Sequence, residues 1–382
     1  MGMESKEKKL PKGISLRKDG RYMGRVTFEG ETVTVYGSTV SETRKKLDEK
    51  RYELQHGLFC KETDMTVKAW FEVWIKEYKS LTIKQGTVKL YTCYFYTYID
   101  KAVGKKKLKD IRAEHIQKIY NDMHRMEYSH KTIELVSGVL SGMFKQALKN
   151  EMISKNPVPL ATLPKGGEKK ERRVLTKEEQ STFLAYAKKS QYARIFEFAL
   201  STGMRGGEVK GLLWENVDFQ KKLIYVKVTL NKDGIGFYLG SPKTSSSVRT
   251  IPMMDNVYAL LKKQKAWQAE MRLKLGEEWK PCDGLNNLVF TTNVGSPIDK
   301  EYLKNSMDGI VKRINADGIE FEHITMHTFR HSFATRCIES GMNPQTLKAI
   351  LGHSKLSMTM DLYAHVLPDT KAEEMQKIAN LF

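Results

Sequence analysis

The sequence predicts a multidomain chain, mainly α with small β-sheets. Three observations carry this. The chain has 382 residues, enough for two or three domains. The period of its apolar residues changes from two near the start to three and four beyond residue 65. A Pro/Gly-rich stretch near residue 160 then breaks the helical pattern before a second half begins.

Composition narrows the function class. A formal net charge of +19 favours a polyanionic partner, nucleic acid or an anionic membrane surface. No apolar run approaches the roughly 20 residues that span a bilayer, and the charged start lacks a signal-peptide core. No membrane partner is therefore expected. The surplus is roughly +4 over residues 1–62, +8 over 63–165 and +7 over the rest. Charge spread over every folded segment predicts a long contact path. Cys60, Cys93, Cys282 and Cys337 are far apart, with no CxxC pair. They read as reduced thiols of a cytoplasmic protein, and no metal or other cofactor is expected.

Residues 1–10 are polar and basic, a mobile tail. In the next segment Tyr22, Val26 and Phe28 alternate with Arg21, Arg25 and Thr27. A second run places Val33 and Val35 opposite Thr32, Thr34 and Tyr36. Asp19-Gly20 and Glu29-Gly30 supply turns. A helix follows, from a Ser41 cap to a stop near Gly57. Residues 1–62 therefore predict a three-stranded sheet backed by one helix. Its free face would carry Arg17, Arg21, Arg25, Thr27, Thr34 and Tyr36 toward DNA, since such a ribbon fits the major groove.

Residues 63–155 predict a bundle of about four helices. Val67, Trp70, Phe71, Trp74, Ile75 and Tyr78 repeat at three and four, as do Ile116, Ile119, Tyr120, Met123 and then Ile133, Val136, Leu140, Phe144 and Ala147. Tyr91, Tyr94, Phe95, Tyr96 and Tyr98 read as core rather than as a base-stacking platform. Lys105, Lys106 and Lys107 form a basic turn suited to phosphate. The linker, residues 156–173, holds Pro157, Pro159, Pro164 and Gly166-Gly167, followed by Lys169, Lys170, Arg172 and Arg173. Such a basic connection would let the flanking domains close around a duplex.

Thr176-Lys177-Glu178-Glu179 opens the segment 174–382 with a capping-box pattern. This segment is mostly helical, with strand-like runs at 223–228 and 248–252; the second ends a hairpin carrying Lys243. A short amphipathic tail helix, 369–382, is expected to pack on its own domain or a neighbour.

The chemistry lies in residues 200–363. Direct attack on a DNA phosphorus needs a nucleophile, cations on the non-bridging oxygens, and proton transfer from the nucleophile and to the departing 5′ oxygen. Tyr363 can be the nucleophile, although a phenol of pKa about 10 needs help to ionise. Arg205 and Arg330 can clamp the phosphate bidentately. His327 and His353 can donate or relay a proton, and Lys243 can protonate the leaving oxygen. Each residue alone has a duller reading. A lone Arg205 would be a surface or cap arginine, a lone Tyr363 a core tyrosine, and 343–352 part of a helix-turn-helix reader. Their order along the chain favours the chemical one.

Thr202-Gly203-Met204-Arg205-Gly206-Gly207-Glu208-Val209, the hairpin Lys243, His327-Thr328-Phe329-Arg330, Leu351-Gly352-His353 and the late Tyr363 together resemble the tyrosine recombinases, or phage-type integrases. The upstream sheet, helix and bundle are similar to the integrases of phages and conjugative transposons, which carry an extra arm-binding domain. The resemblance implies a mixed α+β catalytic domain after a core-binding bundle. It implies catalytic roles for Arg205, Lys243, His327, Arg330, His353 and Tyr363, with Glu208 as a supporting acid. It also implies integration and excision of a mobile element through a 3′-phosphotyrosine, on double-stranded DNA with core and arm sites. The working form would be a homotetramer on DNA, associated with a prokaryotic nucleoid, and an excisionase-type helper protein would fit the separate arm domain. Lys227 and Lys232 compete with Lys243 for its role. The other readings are a type IB topoisomerase, a chromosome-dimer-resolving recombinase and a catalytically inactive DNA-binding regulator.

Overall fold

The structure, a computed structural model, describes residues 10–28, 30–55, 64–167, 173–241 and 245–366, with the side chains of 31, 53, 55, 245 and 363–366 excepted. It divides into two compact units, up to residue 169 and from residue 170.

The first unit opens with β1 (Ile14–Leu16), β2 (Tyr22–Phe28) and β3 (Glu31–Gly37), an antiparallel sheet in the order β1-β2-β3. Helix α1 (Val40–Gln55) covers one face. Ile14, Val26, Leu47 and Leu54 are buried there, with Tyr22, Phe28, Val33, Val35 and Val40 packed around them. The alternation in the sequence thus has its physical cause in one covered and one open face. The helix begins earlier than the Ser41 cap predicts. Thr39 Oγ1 accepts from Glu42 N at 3.1 Å, and the Glu42 carboxylate accepts from Ser38 N at 2.9 Å. These two capping bonds, made at Thr39 and Ser38 ahead of Ser41, make the earlier start the more stable one. Residues 1–9 of the predicted tail 1–10, and the stop at Gly57, lie outside the described residues.

The bundle consists of α2 (Val67–Val73, continued by wider turns over Trp74–Lys79), α3 (Gln85–Tyr94, continued likewise over Phe95–Gly104), α4 (Ala113–Arg125) and α5 (His130–Lys149). The predicted periodic residues make its core, except Tyr78, which is exposed at the end of its helix. Trp70, Phe71, Trp74, Phe95 and Phe144 are buried, and the rings of Phe71 and Phe95 stack 3.8 Å apart. Tyr91, Tyr94 and Tyr98 pack against this core. Tyr96 differs: it is exposed, and its hydroxyl donates to Glu72 at 3.2 Å.

The second unit holds α6 (Lys177–Ala187), α7 (Ala193–Thr202), α8 (Gly206–Lys210), α9 (Asp255–Leu275), α10 (Lys300–Ala316), α11 (Met326–Glu339), α12 (Pro344–Leu351) and α13 (Ser357–Val366). Thr176 and Glu179 form the expected capping box on α6, with bonds of 3.1 and 2.8 Å. A sheet of β4 (Val217–Asp218), β5 (Leu223–Val226) and β8 (Arg249–Pro252) packs on the helices in the order β4-β5-β8. The two predicted runs do pair, with Val226 opposite Arg249. Between them the chain inserts a second hairpin, β6 (Thr229–Lys232) and β7 (Phe237–Gly240). Its Asp233 carboxylate accepts from the backbone N–H groups of Ile235 and Gly236, which makes the turn. β6 lies close against the end of α8: a Cβ on Gly211 would meet Leu230 N at 2.6 Å. The tail helix expected at 369–382 lies outside the described residues.

Candidate active site at the end of helix α12

The site forms where two helices end. Helix α7 stops at Gly203, which is left-handed at φ 61°. A Cβ there would sit 2.3 Å from the Phe333 ring, so both the backbone angle and the space require glycine. Helix α12 is capped by Asn343, whose side chain accepts from Gln345 N at 2.8 Å, and it stops at Gly352, φ 65°. The last carbonyls of a helix lack intrahelical partners and carry the negative end of its dipole. Here the final three, through the Gly352 cap, each meet an arginine. Arg249 Nε donates to Ile350 O at 2.5 Å, Arg330 Nη2 to Leu351 O at 2.6 Å, and Arg205 Nη2 to Gly352 O at 3.1 Å. Arg330 Nη1 also reaches across to the end of α7, donating to Gly203 O at 2.8 Å.

Glu208 is the counterweight. It lies one turn into α8, after Arg205 at the N-cap, and its side chain is 1% exposed. Its carboxylate accepts from Arg205 N at 2.9 Å, Arg205 Nη1 at 2.8 Å and Arg249 Nη2 at 2.8 Å. Burial alone would push this carboxyl up. The hydrogen bond and charge of Arg249, followed by the bonds from Arg205, outweigh burial and hold it below the ordinary carboxylate value. Arg330 is affected in the opposite sense. Burial, and then the neighbouring Arg205 charge, bring its pKa down to about 9 against the opposing pull of Glu208. It remains charged at neutral pH. Three guanidinium groups face one carboxylate, and the surplus of positive charge suits an anion such as a phosphodiester.

The histidines differ in setting. His353 follows Gly352, is 8% exposed, and shares a 2.9 Å hydrogen bond between Nδ1 and Thr359 Oγ1 of α13. His327 is the second residue of α11, exposed, with its ring centroid 6.3 Å from that of His331 one turn later. Helix α11 is set by mutual capping of Thr325 and Thr328: Thr325 N donates to Thr328 Oγ1 at 3.0 Å, and Thr328 N to Thr325 Oγ1 at 3.3 Å. Tyr363 is on α13, one turn beyond Thr359, and its side chain is outside the described residues. Lys243 falls in 242–244, between β7 and β8, also outside them.

The structure therefore gathers Arg205, Glu208, Arg330 and the His353 turn. It also gathers Arg249, which sequence reasoning passed over. The signal was present, because alternation in β8 puts Arg249 on the same face as the buried Ile251. An arginine in phase with core residues needs a buried partner.

The candidate DNA-facing residues of the first unit sit apart from this centre in sequence. Arg25 pairs across the sheet with Thr34, Thr27 Oγ1 bonds Thr32 Oγ1 at 2.9 Å, and the Arg17 guanidinium lies 5.3 Å from the Tyr36 ring centroid. Arg21 is held by Asp19 at 2.9 Å. Lys105, Lys106 and Lys107 are exposed, and Lys107 pairs with Asp64 at 3.2 Å. Among the described residues, no group of three or more His, Cys, Asp and Glu could hold a metal ion. Among them too, no helix is long and apolar enough to cross a membrane.

Comparison with known proteins shows the family. The phage integrase family model matches residues 173–369, more than half of the chain, and the phage integrase N-terminal SAM-like domain matches residues 66–124. The chain belongs to the phage integrase family, the tyrosine-type site-specific recombinases. It is similar to a tyrosine recombinase XerC-like protein of Caldanaerobacter subterraneus, 28% identical over 91% of each chain. It is also similar to the transposase from transposon Tn916 of Enterococcus faecalis, 26% identical over 97% of this chain and 94% of that one. Among solved structures, the Tn1549 transposon integrase in complex with transposon right end DNA aligns with a TM-score of 0.70 and 28% identity. That match covers 82% of this chain and all of the other.

Proposed function

We propose that this recombinase integrates and excises a mobile element by cutting and rejoining double-stranded DNA through a 3′-phosphotyrosine at Tyr363. The observation that carries the reading is the surplus of guanidinium charge at the end of α12, next in sequence to the helix that bears Tyr363. Support also comes from the transposon enzymes among its relatives, one of them a DNA complex.

In this mechanism Arg205 and Arg330 bind the two non-bridging oxygens, and both oxygens gain charge as Tyr363 Oη attacks phosphorus. The new O–P bond forms as the bond to the 5′ oxygen breaks. The phenol proton passes toward the histidines, and Lys243 gives a proton to the departing 5′ oxygen. His327 and His353 donate to the phosphate or relay the proton, and Glu208 keeps Arg205 aimed. A second 5′-hydroxyl then attacks the phosphotyrosine and frees Tyr363. One phosphodiester replaces another, so no nucleotide is consumed.

On this reading residues 1–62 bind arm sites through Arg17, Arg21, Arg25, Thr27, Thr34 and Tyr36. Residues 63–155 bind core sites with help from Lys105, Lys106 and Lys107, residues 156–173 link the parts, and 174–382 perform the chemistry. Two exchanges on each of two duplexes call for four active sites, hence a homotetramer on DNA. An excisionase-type helper would act at the arm sites. The place of work is the cytoplasm, at the nucleoid.

A suicide substrate nicked near the cleavage site tests this directly. Denaturing gels should show a covalent protein–DNA adduct in EDTA. Tyr363→Phe should bind the same DNA and give no adduct; an adduct from that variant would remove Tyr363 from its role.

A further inference from the structure

The family reading leaves out one residue that the site is built around. We infer that Arg249 is a positioning residue that holds three catalytic segments in one register. The inference rests on the proposed roles of Arg205, His353 and Lys243.

The geometry is as follows. The Arg249 side chain is 5% exposed, and its donors point in three directions. Nη2 donates to Glu208 Oε2 at 2.8 Å, and the same carboxylate accepts twice from Arg205. Nε donates to Ile350 O at 2.5 Å, three residues before His353. Nη1 donates to Ser247 O at 3.1 Å, four residues after Lys243. One planar guanidinium thus touches the partner of the phosphate-binding Arg205, the helix end that leads into His353, and the segment downstream of Lys243. A lysine has a point charge on a flexible stem and cannot satisfy three acceptors in a fixed fork.

Packing makes the joint rigid. A Cβ on Gly352 would lie 2.9 Å from Arg249 Cδ and 2.9 Å from Ser246 O. The left-handed turn before His353 is therefore pressed against both the Arg249 stem and the chain leading from Lys243. Arg249 also begins β8, opposite Val226, so the sheet fixes its backbone. Nothing here requires Arg249 to touch DNA: its Nε, Nη1 and Nη2 each already donate to a protein oxygen.

A loss of alignment should slow chemistry and leave DNA binding intact, because misplacing a reacting group by about 1 Å can cost about 100-fold in rate. The experiment measures single-turnover adduct formation at saturating nicked substrate, together with DNA affinity, for the full chain. Arg249→Met should cleave about 100-fold more slowly with affinity within about twofold of the parent. Combining it with Glu208→Gln should cost little beyond the worse single change, because both break the same joint. If the two losses multiply, or if Arg249→Met cleaves within about threefold of the parent, the inference falls. It also falls if DNA affinity drops as far as the rate. Should Arg249→Met not fold, Arg249→Lys keeps the buried charge and decides the matter: at least about tenfold slower cleavage with unchanged affinity is expected, and parent-like cleavage overturns the inference. The parent is the control for the reading beneath. If the parent itself forms no adduct, it is the proposed function that fails.

Discussion

Arg330 and Arg205 grip adjacent carbonyls at the end of one helix, Leu351 O at 2.6 Å and Gly352 O at 3.1 Å. The two guanidinium groups repel each other, and Arg205 contributes to the lowered pKa of Arg330. The helix end and Glu208 hold them together. The cost of assembling like charges is met by folding, before any phosphate arrives.

The first prediction concerns the turn that ends α12. Gly352→Ala places a side chain in a left-handed conformation and against Arg249 and Ser246. The change should cost about 1–3 kcal/mol of stability in a denaturant titration. Cleavage should fall about 100-fold, since the turn leads directly into His353. Parent-like cleavage would show that the turn can shift without disturbing the site.

The second follows from Glu208. Its carboxyl is held below the ordinary value of 4.5, so its stabilising effect is present above that pH. The effect is lost as pH falls through the lower folded-state value, where the acid takes up its proton. Glu208→Gln should destabilise the protein by about 3–5 kcal/mol at pH 7, as expected for a broken buried pair. The gap in unfolding free energy between parent and variant should close as pH falls below 4.5. A gap that stays constant with pH would mean that Glu208 is not ionised in the folded protein.

The third concerns the open face of the N-terminal sheet. Arg17 and Arg25 are exposed on it, beside Tyr36 and Thr34. Replacing both with alanine should weaken arm-site binding and lower the salt slope of log K by about 2, roughly one per lost phosphate contact. Core-site binding should be unchanged. Equal loss at both kinds of site would contradict a separate arm-binding role.

Much of the fold is legible because its patterns have one cause each. The period-two run 22–28 has a helix on one side and an open face on the other. The repeat from Val67 to Trp74 builds the bundle core, and Tyr78 at its end is exposed. Arg205, Arg330 and the turn before His353 come together because two glycines end two helices beside them. Other features depend on contacts distant in sequence. The hairpin β6–β7 interrupts what reads as one hairpin, since its short strands give a weak alternation and its packing depends on Gly211. Arg249 is in phase with the buried Ile251, but its partners Glu208 and Ile350 are distant in sequence and only the fold brings them to it. The α1 start was misread because Ser38, Thr39 and Ser41 are all capping residues, and only the Glu42 geometry separates them.

The hydrogen bond between His353 Nδ1 and Thr359 Oγ1 has a consequence for regulation. Thr359 lies one turn ahead of Tyr363 on the same helix, so a swing of that helix changes what the imidazole is bonded to. On the proposed roles, the imidazole that handles the proton is tied to the helix that carries the attacking residue. The ring resonances of His353 should accordingly report the position of α13 in NMR spectra, with or without DNA.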